Sequence, residues 1–238
     1  MLEKNISRIA VVGSGLMGHG IALEFAVAGC QVHIQDVSDA SAIEAAAHMV
    51  LERFGHVDVL INNAGVTQRS LAKDTILAVD RRIMEVDFFG AVALTKAVLP
   101  SMLALHSGRI VVISSVAGRV GTPLRSAYAA SKHALHGFFD SLRAEVHAEG
   151  LGVTIICPGF IRTEISRHAL KGDGSAYAIM DPALAAGMPV ERCASRIVAA
   201  IRSGKDEVTI GGRETLGIAL HRFFPGLFRR LIRRMKVV

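Results

Sequence analysis

Short runs of β-branched and aliphatic residues alternate along the chain with longer segments whose apolar residues recur at helical spacing. The short runs predict strands at residues 8–12, 31–36, 57–62, 109–115, 152–157 and 207–210. The periodic segments predict helices at residues 15–29, 39–55, about 80–106, 126–149 and 190–203. Alternating strands and helices indicate βα units, which build a parallel sheet covered by helices on both faces. The predicted fold class is therefore α/β, a three-layer doubly wound parallel sheet.

Length and composition favour one globular domain. The chain has 238 residues, of which 51% are apolar and 20% charged, as is typical of a soluble domain with a large core. Residues 1–238 are therefore interpreted as a single domain. Within it, residues 160–189 show little periodicity and are expected to form a substrate loop over an active site. Residues 213–238 are expected to form a basic amphipathic segment.

The net charge of +6 is concentrated near the C-terminus. Residues 221–238 contain no acidic residue and six basic ones: Arg222, Arg229, Arg230, Arg233, Arg234 and Lys236. Because these six equal the whole excess, the remainder of the chain is neutral and no nucleic-acid partner is expected.

Phenylalanines and aliphatic residues interleave with these basic residues in "HRFFPGLFRRLIRRMKVV". Such a segment suits an anionic membrane interface, so peripheral membrane contact is one hypothesis. The alternative is a C-terminal helix that packs on the body of the protein or on another subunit. The pattern leaves both open.

The three cysteines are widely spaced and include no CxxC pair, which argues against disulfides and against a zinc site. The first residues lack the pattern of a signal peptide, and no run reaches the roughly 20 apolar residues of a membrane span. A cytoplasmic protein is therefore expected. His133, His136 and Asp140 fall on adjacent turns of one predicted helix, but a solvated or subunit-facing helix side is favoured over a metal site, and no metal is predicted.

A glycine-rich stretch, "VVGSGLMGHG", follows the first predicted strand and opens a helix. Gly13, Gly15 and Gly18 fit the GxGxxG pattern, which lets the backbone turn tightly and lets a pyrophosphate approach the helix N-terminus. Asp36 lies 21 residues after Gly15, near the distance at which an acid reaches the adenosine ribose. That favours NAD over NADP, whose 2′-phosphate a carboxylate repels. The other predicted cofactor contacts in this part of the chain are Ser14, Leu16, Met17 and Val37.

The opening, with "GLMGHGIA" and "IQDVSD", resembles 3-hydroxyacyl-CoA dehydrogenases, but only over about residues 7–38. The catalytic half of that family implies a histidine and acid pair in a separate helical domain. Nothing after residue 40 looks like it, so acyl-CoA oxidation is not expected.

Residues 39–238 resemble the short-chain dehydrogenase/reductase family. Four motifs from residue 54 onward carry the resemblance: "NNAG" (62–65), "ISSVAG" (113–118), "YAASK" (128–132) and "PGFIRT" (158–163). The resemblance implies a Rossmann-type fold, a homo-oligomer, and NAD(P)-dependent interconversion of a secondary alcohol and a ketone. The expected substrate is a small, apolar alcohol or ketone. By resemblance, the cofactor is also lined by Asn62, Ala64, Gly65, Pro158, Gly159 and Thr163.

A catalytic group is predicted from the chemistry of the same motifs. Tyr128 and Lys132 are four residues apart and share one face of a helix, so an ammonium lies beside a phenol and favours the phenolate. Tyr128 then serves as the general acid or base, while Ser115 hydrogen-bonds the substrate oxygen. Lys132 additionally binds the nicotinamide ribose.

One position departs from the family pattern. The family usually has a catalytic asparagine in the helix before the serine strand, where this chain has Asp87 in "MEVDFFG". If the backbone carbonyl does the work, an aspartate serves equally; if the neutral amide matters, the extra carboxylate near Lys132 perturbs the proton relay.

The join between the two resemblances lies at Asp36. A βαβ unit takes roughly 30 residues, and the stretch between Asp36 and Val57 holds one helix, so the chain is one strand-helix unit shorter than usual. If Asp36 ends the second strand, it faces ribose and the sheet order, in the family's numbering, is 2-1-4-5-6-7. If it ends the third, it faces adenine. We interpret the chain as a natural or engineered fusion; the rival to an active dehydrogenase is a nucleotide-binding but catalytically silent protein.

Overall fold

The computed structural model describes residues 6–13, 15–35 and 43–234. Its strands are β1 (Arg8–Val12), β2 (Gln31–Gln35), β3 (Val59–Asn62), β4 (Gly108–Ile113), β5 (Leu151–Pro158) and β6 (Glu207–Ile210). Its helices are α1 (Leu16–Val27), α2 (Ile43–Phe54), α3 (Leu77–Met84), α4 (Gly90–Ala104), α5 (Ser126–Val146), α6 (Pro182–Ala185), α7 (Val190–Arg202), α8 (Leu216–Phe223) and α9 (Pro225–Ile232).

The described strands form one sheet in the order β2-β1-β3-β4-β5-β6, and every neighbouring pair is parallel. This is the order predicted for a sheet without the third strand-helix unit. The strand after the glycine loop thus lies at the edge of the sheet. Asp36 and Val37, which follow it in sequence, lie outside the described residues.

Alternate residues along each strand face opposite helical layers. On one face, Ala10, Leu60 and Ile110 pack against α2, α4 and α5. On the other face, Val11 and Ile61 pack against α1 and α7. Both faces are buried at the central strands, so β1, β3, β4 and β5 are mostly apolar, whereas the edge strands β2 and β6 carry more polar residues. The predicted three-layer α/β fold is confirmed.

The helix predicted near residues 80–106 begins earlier, at Leu77, and is not uniform. A single π-helical turn, Glu85–Phe89, separates α3 from α4. The combined segment Leu77–Ala104 has the length and mean hydropathy of a membrane-crossing helix, which the sequence analysis did not expect. It packs against α5 and against β3 and β4 and buries Asp87, although only 33% of its most apolar window is buried.

The segment predicted as a substrate loop is fastened to the body at several points. Ile161 pairs with Met188 near its two ends, and Leu170 pairs with Gln68 and Ala176. The short helix α6 lies within it. The basic C-terminal segment forms α8 and α9, which pack on each other, with Phe228 buried. Residues 235–238 lie outside the described residues.

Candidate active site

The glycine loop connects β1 to α1 and leaves no room for side chains at two positions. Gly13 has a φ of +102°, and a Cβ there would lie 2.6 Å from the backbone nitrogen of Ala64. A Cβ on Gly18 would lie 2.0 Å from the carbonyl oxygen of Gly13. Gly15, by contrast, is exposed and has open space around its Cβ direction. The loop therefore combines two tight approaches with one position that is open to a ligand.

Of the other cofactor contacts predicted near this loop, one lies in the cavity and one lies outside it. Met17 lines a cavity at the carboxyl ends of the strands, whereas Leu16 is half exposed outside it. Ser14, Asp36 and Val37 lie outside the described residues, so the predicted ribose contact and the preference for NAD stay predictions.

The chain after β3 places a different asparagine in the cavity from the one predicted. Asn62 is buried and donates from Nδ2 to Thr95 Oγ1 at 3.1 Å, in α4. Asn63 lines the cavity and donates from Nδ2 to the Gly13 carbonyl at 3.1 Å. Gly65 also lines the cavity, while Ala64 packs behind it against the core. Asn63 thus links the glycine loop to the strand end, a role that the adjacent "NN" in sequence does not assign to either residue.

Ser115, Tyr128 and Lys132 all line one cavity of about 370 Å³. Ser115 follows the end of β4, and its Oγ accepts a hydrogen bond from Ala117 N at 3.1 Å. Tyr128 and Lys132 lie in the first two turns of α5, with Lys132 Nζ 5.6 Å from the Tyr128 ring centroid. Lys132 Nζ donates to the Ile113 carbonyl at 3.2 Å. The three predicted catalytic side chains therefore converge on one space.

The start of α5 is fastened by a residue that the sequence analysis missed. Gln68 is fully buried; its Oε1 accepts from Tyr128 N at 3.1 Å and its Nε2 donates to Ser126 Oγ at 3.0 Å. Gln68 therefore satisfies the first turn of the helix that carries Tyr128.

Asp87 lies on the π-helical turn and is buried behind the cavity. Its Oδ1 accepts from Val66 N at 2.7 Å, its Oδ2 accepts from Ser131 Oγ at 3.0 Å, and Lys132 Nζ is 3.6 Å from Oδ2. The carboxylate thus ties the chain after β3 to α5. It contacts Lys132 directly, so its charge acts on the predicted proton relay through that residue.

Burial raises the pKa of Asp87, and the attraction of Lys132 and the hydrogen bonds from Val66 and Ser131 lower it by less. The folded protein therefore holds a proton on this group at pH values where the unfolded chain has released it. The free energy of unfolding then falls as pH rises above the ordinary carboxyl range. Asp87 as an anion is a net cost to the fold at neutral pH.

Replacing this carboxylate by an amide, Asp87→Asn, is therefore expected to stabilise the protein at pH 8. An asparagine keeps an oxygen for Val66 N, and its amide donates to Ser131 Oγ, which remains free to donate to the Tyr128 carbonyl. We expect the thermal midpoint to rise by about 2 to 4 °C, the shift that 1 kcal/mol gives a chain of this size. Near pH 4 the two proteins should unfold at nearly the same temperature.

Differential scanning calorimetry at both pH values measures this effect, with the exposed Asp74→Asn as the matched control. A lower midpoint for Asp87→Asn at pH 8 would show that the ion pair with Lys132 outweighs the burial cost.

The end of β5 and the turn after it also line the cavity, through Pro158, Gly159 and Thr163, whose cofactor contacts stay predictions. A Cβ on Gly159 would lie 2.0 Å from Glu214 Oε1, which accepts from Phe160 N at 2.9 Å. Glu214 comes from the C-terminal segment and was not foreseen.

The C-terminal helices close the cavity on this side. Their lining residues are Gly217, Leu220, Phe228, Leu231 and Ile232. The sequence left two alternatives open for this segment, contact with a membrane and packing on the body or on another subunit. The inner face of α8 and α9, which lines the cavity, fits packing on the body. Such packing does not describe their outer face, where Phe223 and Phe224 are more than 60% exposed.

A buried ion cluster borders the cavity at the start of α5. Asp181 Oδ2 accepts from Arg69 Nε at 3.0 Å and from Arg125 Nη2 at 3.0 Å. Both arginines line the cavity, and Asp181 lies behind them. The cluster ties the loop of residues 160–189 to the body.

A second cluster of polar side chains lies further along α5, at His136. Ligand atoms of His136, Cys157 and Glu207 lie within 4.8 Å of one another, although the cysteine spacing had argued against a metal site. Burial lowers the pKa of His136 to about 4 and raises that of Cys157 to about 12. Glu207 pairs with Arg119, whose positive charge opposes a cation there.

The fold and cavity define a class of α/β domain in which a glycine loop, the carboxyl ends of parallel strands and a Tyr–Lys helix surround one space. Comparison with known sequences identifies the family: the model of the short chain dehydrogenase family matches residues 25–173. The chain belongs to this family, whose members are NAD(P)-dependent oxidoreductases.

Among curated proteins, the chain is similar to "Dehydrogenase/reductase SDR family member 7B" of Bos taurus, with 48% identity over 83% of this chain and 61% of that protein. It is also similar to "Dehydrogenase/reductase SDR family protein 7-like" of Anopheles gambiae, with 49% identity over 74% of this chain and 55% of that protein. The chain therefore spans less than two thirds of the length of these relatives.

Among solved structures, a short-chain dehydrogenase from Streptomyces avermitilis has a TM-score of 0.79 and 28% identity over 95% of this chain and 98% of that one. A short chain dehydrogenase from Burkholderia cenocepacia, solved with NADP, has a TM-score of 0.77 and 21% identity over 95% of this chain and 97% of that one, which shows the fold alone. These comparisons give the fusion hypothesis no support.

Proposed function

We propose that the protein is an NAD(P)-dependent oxidoreductase that interconverts a secondary alcohol and a ketone. The observation that carries the proposal is the convergence of Ser115, Tyr128 and Lys132 on the cavity that also receives the ends of β3, β4 and β5. In open α/β sheets, ligands bind outside the carboxyl ends of the strands.

The residues around the glycine loop fit a dinucleotide. Gly15 is open at the N-terminus of α1, where backbone N–H groups and the helix dipole favour a pyrophosphate. Met17, Asn63, Gly65 and Thr163 line the adjoining part of the cavity and would hold the nicotinamide end. When bound, the cofactor supplies or accepts the hydride.

The chain's own groups handle the proton and orient the substrate. Tyr128 takes the hydroxyl proton during alcohol oxidation or donates it during ketone reduction. Ser115 Oγ accepts from Ala117 N at 3.1 Å and donates to the Pro158 carbonyl at 3.5 Å. The second contact is long and weak, so a substrate oxygen can replace the carbonyl as acceptor of this proton. Lys132 is held by the Ile113 carbonyl, and its Nζ lies 5.6 Å from the Tyr128 ring centroid, where it would bind the nicotinamide ribose.

The first test of this function is a titration of NADH and NADPH into the purified protein, followed by nicotinamide fluorescence. We expect saturable binding with NADH preferred, because Asp36 disfavours a 2′-phosphate. Asp36→Ser should lose that preference, while Asp39→Ser, three residues further on, should keep it. Absence of binding by both nucleotides would favour the catalytically silent alternative.

The substrate is proposed to be apolar over much of its length. Four apolar residues of α8 and α9 line the cavity, as does Val120; the four are Leu220, Phe228, Leu231 and Ile232. A cytoplasmic location and a homo-oligomeric state remain predictions from the sequence and the family.

A second candidate property is contact with an anionic membrane through the outer face of the C-terminal helices. Phe223 and Phe224 are 68% and 62% exposed, Leu227 is 50% exposed, and arginines flank them. Apolar side chains beside cations are suited to a bilayer interface that contains acidic lipids. A second copy of the chain is the competing occupant.

Liposome flotation can test this contact. Deleting residues 221–238 would also remove part of the cavity wall, so the double variant Phe223→Ser/Phe224→Ser is preferable. We expect the native protein to float with vesicles of phosphatidylcholine and phosphatidylserine and the variant to stay soluble. Equal flotation of both proteins would contradict the proposal, and a change in oligomeric mass alone would favour the second copy.

A further inference from the structure

The wall of the cavity is rich in positive charge. Among the described residues, four basic side chains line it, Arg69, Arg125, Lys132 and Arg213, against one acidic side chain, Glu214. Asp87 contacts Lys132 from behind, and Asp181 contacts both Arg69 and Arg125. Two buried guanidinium groups therefore share one carboxylate, which leaves one positive charge near Tyr128 without a matching anion among the groups that face it.

The two arginines that share Asp181 differ in how many of their hydrogen bonds are satisfied. Asp181 Oδ2 accepts from both arginines, while Asp181 Oδ1 is buried without a hydrogen-bond partner. Arg69 is otherwise satisfied, since its Nη1 donates to the Gln68 carbonyl at 2.7 Å and to Thr67 Oγ1 at 3.2 Å. Arg125 makes one hydrogen bond to Asp181, and its Nε is buried without a partner.

The surroundings of Arg125 point toward an anion that the described protein does not supply. The Arg125 side chain is 15% exposed and the Arg69 side chain 4% exposed. Burial and then repulsion from Arg69 lower the pKa of Arg125, and Asp181 raises it. Thr122, which also lines the cavity, has a buried hydroxyl oxygen without a partner. A largely buried cation with few hydrogen bonds is costly, and an anion in the adjoining cavity would offset that cost through its charge.

Arg125 places the unmatched positive charge close to Tyr128, the proposed proton donor. Arg125 is the N-cap residue of α5 and precedes Tyr128 by three positions, so both lie on the first turn of the helix. That turn has no acidic residue, and the helix dipole adds to the positive potential there. Apolar side chains from α8 and α9 line the same cavity.

We propose that Arg125 and Arg69 bind a carboxylate or phosphate group that the substrate carries close to its reacting carbon, so that the substrate is an anionic amphiphile. That the bound anion is a substrate rests on the proposed function. That an anion binds at all rests on the arginine cluster alone. The alternative is that the arginines serve only to fasten Asp181 and its loop.

Binding without turnover separates these two roles. We would measure the affinities of octanoate, octyl phosphate and octanol for the full chain by isothermal titration, with and without saturating reduced nicotinamide cofactor. We expect at least one anion to bind about tenfold or more tightly than octanol, as a charge-assisted contact implies. The two anions distinguish a carboxylate site from a phosphate site.

Two variants test the arginines separately. Arg125→Met and Arg69→Met each leave Asp181 with one arginine, so neither creates an unpaired buried carboxylate. Each should weaken binding of the preferred anion about tenfold or more and leave octanol nearly unchanged. Arg192→Met, on the exposed surface of α7, is the matched control and should change neither affinity. Should one methionine variant unfold, Arg125→Lys keeps the charge and should retain part of the anion preference.

The inference is overturned if both anions bind no more tightly than octanol, or if Arg125→Met and Arg69→Met weaken anion binding no more than Arg192→Met does. If the protein prefers an anion but shows no oxidation or reduction of any substrate, the proposed function is contradicted and the anion site is supported. If the protein reduces uncharged ketones and shows no anion preference, the proposed function is supported and the anion site is contradicted.

Discussion

Tyr128→Phe is expected to lower kcat/KM for alcohol oxidation or ketone reduction about 10²- to 10⁴-fold, the usual contribution of a positioned general acid or base. Phenylalanine fills the same space beside Lys132 but carries no proton to exchange with the substrate oxygen. The cofactor affinity should change little, because the substitution removes one hydroxyl and no part of the glycine loop. The measurement is a steady-state assay at saturating cofactor, combined with a fluorescence titration of the cofactor.

Tyr177→Phe provides a matched control, since the chain has two tyrosines. Tyr177 lies in the loop of residues 160–189, half-buried and outside the cavity lining. We expect it to keep native kinetics. A Tyr128→Phe protein that retains more than about a tenth of the native rate would exclude Tyr128 as the proton donor and direct attention to another group in the cavity.

Much of the scaffold could be predicted because its signals are local. The glycine loop lies within ten consecutive residues, and apolar runs flanked by helical periodicity mark each strand. The shortened sheet order followed from counting those units. Ser115, Tyr128 and Lys132 come together because two of them are one helical turn apart and the third follows a strand that pairs in the middle of the sheet.

The parts of the site that sequence reasoning missed depend on contacts between distant segments. Arg69 and Asp181 are 112 residues apart, and Phe160 and Glu214 are 54 apart. Periodicity carries no information about such pairs. The resemblance named Asn62, whereas Asn63 lines the cavity, for another reason: the strand end decides which of two neighbours faces the cavity, and a shift of one residue reverses the faces.

The C-terminal segment shows a further limit of pattern. Its alternation of apolar and basic residues predicts an amphipathic helix but does not say what the apolar side meets. In the structure the segment is broken at Phe224 into two helices, and different apolar residues face the cavity and the solvent. Packing on the body and contact with a membrane are therefore compatible, although the sequence presents them as alternatives.

Gly18→Ala is expected to destabilise the protein and to abolish measurable cofactor binding. The added Cβ would lie 2.0 Å from the Gly13 carbonyl oxygen and 2.9 Å from Asn63 Nδ2, which donates to that same carbonyl. Backbone must move to relieve the first contact, and the link between the glycine loop and the chain after β3 is then lost. Overpacking of this kind costs about 1 to 3 kcal/mol, which in a chain of this size lowers the thermal midpoint by roughly 2 to 12 °C.

Gly15→Ala, in the same loop, is expected to change ligand binding without changing the stability of the fold. Its Cβ meets nothing within 4 Å, and its φ of −64° suits any residue, so the unliganded protein should unfold at its native temperature. If a pyrophosphate approaches the N-terminus of α1, the methyl group occupies its path, and affinity for the reduced cofactor should fall about tenfold or more. Gly121→Ala, also in open space, is the control for both measurements. Native cofactor affinity in Gly15→Ala would place the dinucleotide elsewhere, whereas native stability in Gly18→Ala would show that the two glycines need not approach each other so closely.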